Sequence, residues 1–185
     1  MKKILIVILT LTLIITMAGC EQSKQTANTA ADNTINEVSA DKNASANDQI
    51  SKNYDFQAAD LAAYIYANNK FKDQLSEINS NVLFEIYDVD KDEVKDACSY
   101  FSTGATAEEI TVMTAADSNI QDNLAEINKA YNERLEDQIE AFSDYVPEEL
   151  TKLSNPLIME IGNSVVMVVC DDYDRAKQTI LDYFK

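Results

Sequence analysis

Apolar positions recur along this chain with periods that predict most of its elements. Ala58, Leu61, Ala62 and Ile65 keep helical spacing, which predicts a helix over 56–69. Leu75, Ile78, Val82, Leu83 and Ile86 continue the apolar pattern without choosing a period. Residues 93–102 read both ways. Val94, Ala97, Cys98 and Phe101 are helically spaced, while Cys98 to Ser102 also suits a strand. Glu109 to Ala115 alternates, with β-branched Ile110, Val112 and Thr114, and predicts a strand. The longest stripe is Ile120, Leu124, Ile127, Tyr131, Leu135, Ile139 and Phe142. Its steps of three and four predict an amphipathic helix, with Asp122, Glu126, Lys129, Glu133, Asp137 and Glu140 on the far side. Ser118 with Gln121 has the spacing of a capping box. Pro147 suits the first turn of a short helix.

The strongest strand signal follows. Leu157, Met159 and Ile161 alternate, Gly162-Asn163 supplies a two-residue turn, and Val165 to Cys170 is wholly apolar. A wholly apolar strand needs cover on both faces, which predicts a central position. A last helix begins after Asp171, Asp172 and Asp174, with Tyr173, Ala176, Ile180 and Phe184 inward. The expected fold is α+β: an antiparallel sheet packed against the long amphipathic helix and the C-terminal helix.

Before this domain the pattern changes twice. Lys2 and Lys3 precede an apolar run from Ile4 to Ile15, interrupted only by Thr10 and Thr12. That run is shorter than the roughly 20 residues a membrane-spanning helix requires and has the shape of a signal peptide. It ends in Met17-Ala18-Gly19-Cys20, which resembles the lipobox of bacterial lipoproteins. The resemblance implies that residues 1–20 are a lipoprotein signal peptide. Cys20 would be the lipidation site, and the protein would be held by its lipid on the outer face of the cytoplasmic membrane. Residues 21–53 contain no aromatic residue, Gly or Pro and are rich in small polar residues. Such a segment buries too little to fold and reads as a disordered tether, spanning roughly 30 Å on average. Residues 54–185 remain as a single domain of ordinary size.

Composition narrows the chemistry. From Tyr54 to Lys185 there are 27 acidic and 10 basic residues, a net charge of −17. That sign repels nucleic acid and anionic lipid surfaces. The chain has no His, which removes Ser-His and Cys-His dyads and the usual neutral-pH base. It has no Trp, and only Gly104 and Gly162 fall in the domain, too few and too far apart for a P-loop or a dinucleotide fingerprint. Cys98 and Cys170 read either as buried thiols or as an exported disulfide.

Candidate sites are sparse. Asp88, Asp90 and Asp92 are spaced like the start of a calcium loop, making them weak metal candidates. Glu93 stands where that loop needs Gly and Ser99 where it needs Glu, so a turn or helix cap is the better reading. Asp171, Asp172 and Asp174 precede a helix, where aspartates cap. Glu108-Glu109 and Glu148-Glu149 would serve as acid/base pairs only with partners the sequence does not place, and adjacent strand residues face opposite ways. No cofactor is expected. The preferred class is a non-catalytic module that binds a protein or envelope component. A carboxylate-dependent hydrolase of the cell envelope, with or without a metal, is the alternative, and small-ligand binding is a third reading.

Glu108-Glu109-Ile110-Thr111-Val112, the polar helix ending at Tyr145-Val146-Pro147, Asn155, and Ile161-Gly162-Asn163-Ser164-Val165 carry a further likeness. Through them, Phe56 to Phe184 resembles the bacterial lipoprotein family catalogued as domain of unknown function 4358. The resemblance implies an exported lipoprotein of low-GC Gram-positive bacteria and transfers no catalytic residue.

Overall fold

The computed structural model describes residues 48–50, 52–104 and 106–185, all within the compact unit that spans 41–185. Cys20, the expected signal peptide (residues 1–20) and most of the expected tether (21–53) lie outside the described residues.

In chain order the elements are β1 (Asp48–Ile50), α1 (Ala58–Asn68), β2 (Leu75–Glu77), α2 (Ser80–Tyr87), β3 (Val94–Ser102), β4 (Glu109–Ala115), α3 (Ile120–Ser143), α4 (Leu150–Leu153), β5 (Leu157–Ile161), β6 (Ser164–Val169) and α5 (Tyr173–Tyr183). Single 3₁₀ turns at Lys91–Glu93 and Pro147–Glu149 lead into β3 and α4. The sheet has six strands in the order β1-β5-β6-β4-β3-β2. From β5 to β2 every pairing is antiparallel, as the pattern predicts, while β1 runs parallel to β5 at the edge.

The apolar strand β6 is central, and helices cover both of its faces. Alternation splits it: Val165, Met167 and Val169 join Met113 and the inner residues of α2 and α3. Val166 and Val168 join Ile110, Val112, α1 and α5. The long helix and the C-terminal helix therefore pack on opposite faces of one sheet. Gly162 turns the β5–β6 hairpin at φ +58° while Asn163 keeps a negative φ, the arrangement of a type II′ turn.

Three sequence readings change, and one left open between helix and strand is settled. Residues 93–102 are a strand over almost their whole length, because pairing with β4 from Val94 to Phe101 outweighs the local helical spacing. Asp48–Ile50, read as tether on composition, form β1: their strand comes from the open edge of β5, not from their own preference. The capping box is absent. Asn119 stands at the N-cap of α3 without a capping bond from its side chain, and the Asn123 amide reaches back to the Ala116 carbonyl at 3.0 Å. Finally, the stripe on α3 drifts at its last turns. Gln138 is buried and Ile139 faces solvent at 36% exposure, because a 3.6-residue repeat carries later positions around the helix.

The two domain cysteines cannot pair. Cys98 is level with Val112 on β4, and Val112 with Val166 on β6, four residues before Cys170. Strand spacings put them ~10 Å apart across the sheet and ~13 Å along it. A disulfide tolerates at most ~7 Å between Cα atoms. Both are buried free thiols.

Candidate functional site

The sequence flagged two pairs of acids and a group of three before α5, and the structure gives neighbouring members different surroundings. Glu148 is exposed and Glu149 buried. Asp172 caps α5 by accepting from the Arg175 N–H at 3.0 Å, while Asp171 lies within 3.4 Å of the Lys72 ammonium. Glu108 and Glu109 are both buried, at 1% exposure each, but have different partners. Adjacent residues of a strand point to opposite sides, so the two carboxylates enter different parts of the interior.

Glu109 points under α3. Its carboxylate accepts from the Tyr87 hydroxyl, from the Thr111 hydroxyl at 3.0 Å and from the Gln138 amide at 3.1 Å. The Arg134 guanidinium stands 3.5 Å away and also covers the Phe101 ring. Thr111 passes the chain of hydrogen bonds on to Ser99. Four elements, α2, β3, β4 and α3, are tied by this one acid. Burial raises its pKa, and Arg134, Tyr87, Thr111 and Gln138 pull the other way without cancelling it. Burial, with Glu109 close by, also pushes the Tyr87 and Tyr131 hydroxyls well above the usual phenol range. Tyr131 donates to the Val165 carbonyl at 3.1 Å and so fixes α3 to the sheet.

Glu108 lies at the end of the sheet. It accepts backbone N–H bonds from Lys72 (2.8 Å) and Asp73 (2.9 Å) and one from the Thr106 hydroxyl. Lys152, 4% exposed, places its ammonium 3.2 Å from Glu108 and 2.8 Å from Glu149, whose carboxylate also accepts from the Ala107 N–H. Burial lowers the pKa of Lys152, and Glu149 with Glu108 more than offsets this, holding its proton above the usual lysine range. Asp73 accepts from Ser102 and Thr103, whose hydroxyls hold it down to about 2. The cluster thus clamps the loop after α1 to α4 and the start of β4.

These arrangements hold charge and proton in place through contacts within the protein. Two cavities, of about 280 Å³ each, flank the β5–β6 turn. One is lined by Tyr54, Lys95, Asp96, Asp117 and Ser164 among others, the second by Ile50, Gln121, Leu124 and Glu160. Glu108, Glu109, Glu149 and Lys152 line neither.

The weak metal candidates have backbone roles. Asp88 ends α2 in the left-handed region at φ 50°, and Asp90 accepts from the Asp92 N–H at 2.9 Å to start the next turn. The sequence did not single out Lys152, Arg134, Tyr87 or Gln138. Lys152 carried one signal, its position three residues after Glu149 on a short helix. Among the described residues no helix is long and apolar enough to cross a membrane.

Residues 67–170 match the model of the family described as domain of unknown function DUF4358, and the chain belongs to that family. The match runs from the end of α1 to Cys170, just past β6, so it includes Glu108, Glu109, Glu149 and Lys152. No curated protein and no solved structure matches the chain.

Proposed function

We propose that this member of the DUF4358 family is an extracytoplasmic lipoprotein, held on the outer face of the cytoplasmic membrane by lipid on Cys20. Its folded part acts as a non-catalytic module that engages a protein or envelope component. The observation that carries the anchoring is the order Lys2-Lys3, an apolar run of signal-peptide length, and Met17-Ala18-Gly19 directly before Cys20. Two acyl chains on such a cysteine give durable attachment where one gives marginal binding. The non-catalytic reading is supported by how the buried acids are used. Glu108, Glu109 and Glu149 each bind protein donors, and a general acid or base must instead reach a substrate atom.

Metabolic labelling with a fatty-acid analogue tests the anchor. The wild-type chain should carry the label and fractionate with membranes. Cys20→Ala should lose the label and either be released or persist as the longer precursor. Label retained by Cys20→Ala would refute the assignment.

A further inference from the structure

α3 begins as a helix should, with Asp122 in its first turn, but ends against the same electrostatic rule. A helix C-terminus carries a partial negative charge, which favours Lys or Arg in the last turn. Here the last turn holds no basic residue, and Glu140 and Asp144 stand there instead. From Leu135 to Thr151 the chain has six acids and no Lys or Arg. The two cations that flank this stretch, Arg134 and Lys152, are engaged with Glu109, Glu108 and Glu149. Glu136, Asp137, Glu140, Asp144 and Glu148 are all exposed, and none has an ion-pair partner among the described residues. Those at the helix end oppose its dipole with no compensation from the fold. The same end exposes apolar surface. Tyr145 is 86% exposed and Ile139 36%, two of the three large apolar side chains that face solvent among the described residues. Ile139 lies three residues from both Glu136 and Phe142, so acidic and apolar positions adjoin on one face.

We propose that this end of α3, the surface bearing Ile139, Tyr145, Glu136, Glu140 and Asp144, docks a basic segment of a partner protein in which Lys or Arg stands among apolar residues. The proposal rests on the reading of the domain as a binding module and names the chemistry of what it binds. Charge selects the occupant. A second copy brings the domain's own net charge of −17, and residues 21–47 of the same chain carry four acids against two lysines. Both are repelled. A simple cation would satisfy the acids but leave Tyr145 and Ile139 in water. A Lys or Arg over the Tyr145 ring is attracted by its π face. Tyr is also among the residues that most often dominate the energy of an interface. The acids around it steer the encounter and fix its register, as charges at an interface rim do.

The test places a photoreactive amino acid at Ser143, exposed and four residues from Ile139, in the full chain on intact cells. Illumination should join it to another protein, and mass spectrometry should locate the link in a segment with more Lys and Arg than Asp and Glu. The link must also depend on the surface. Tyr145→Ala should reduce the product about tenfold, as should the triple Glu136→Gln, Glu140→Gln, Asp144→Asn. A control triple of equal charge change, Asp60→Asn, Glu85→Gln, Asp174→Asn, exposed on α1, α2 and α5, should reduce it less than about twofold. The site triple should also raise the urea midpoint, because it removes charges that oppose the helix dipole. A fall in that midpoint would show that the acids serve the fold and would overturn the proposal. So would a link to residues 21–47, to a second copy or to an acidic segment, no link at all, or an equal loss in the control triple. A protein linked from the same probe at Lys129, but not from Ser143, would sink this site and leave the binding-module reading standing.

Discussion

Replacing Lys152 by Met should cost the domain about 3 kcal/mol at neutral pH. Its ammonium is nearly inaccessible and lies 3.2 Å from Glu108 and 2.8 Å from Glu149, themselves buried. Removing one member of a buried ion cluster costs ~3–5 kcal/mol, because the charges left behind are uncompensated. The lower end applies here, since Glu108 keeps the Lys72 and Asp73 N–H bonds and Glu149 keeps that of Ala107. Met fills a similar volume, so cavity formation adds little. The folded-state pKa of Lys152 is raised, so its contribution is complete below the unfolded lysine value of 10.5 and is lost only as pH rises through the folded value. Wild type should therefore show no loss from this group between pH 5 and 9. Urea unfolding of the full chain measures the deficit, and repeating it from pH 5 to pH 9 checks that wild type loses nothing from this group. Lys72→Met changes the net charge equally, but its ammonium is 60% exposed and 3.4 Å from Asp171, so it should cost less than ~1 kcal/mol. A Lys152→Met deficit no larger than that of Lys72→Met would refute the clamp.

Glu109 should respond to pH in the same sense as Lys152, over a lower range. Its raised folded pKa means its stabilising share is full below about 4.5 and falls as pH rises, so Glu109→Gln should gain on wild type from pH 5 to pH 8, read by the same unfolding curves. Ile127→Ala, at a fully buried position on α3, should cost about 2–5 kcal/mol, against less than ~0.5 kcal/mol for Lys129→Ala on its outer face. Burial pushes the Cys98 and Cys170 thiols up to about 11, so iodoacetamide should modify neither in the native chain and both in guanidinium, read by peptide mass.

Strands β4, β5 and β6 were legible because their alternation, β-branching and Gly162 turn are local properties. Where local and non-local signals diverged, the non-local one decided. Val94, Ala97, Cys98 and Phe101 satisfy helical spacing, yet the partner strand β4 makes them extended. β1 was invisible, since Asp48-Gln49-Ile50 owe their conformation to an edge more than a hundred residues away. The buried acids were found as residue types, as acid/base candidates whose partners the sequence does not place. Glu108 meets Lys152 from 44 residues away and the Lys72 N–H from 36 away, and Glu109 meets Gln138 from 29 away. No window of sequence contains those partners. The cap at Asp172 was legible because its acceptor and donor lie three residues apart.

The distribution of charge follows from these placements. Lys152 is drawn inside and Arg134 is partly buried, each beside buried carboxylates. With few cations to begin with, the surface is left markedly acidic. A surface of that sign is repelled by anionic head groups. Under the proposed anchoring, attachment must then come from lipid on Cys20, with no docking face on the domain to assist it. The same repulsion acts between copies of the domain and falls with added salt.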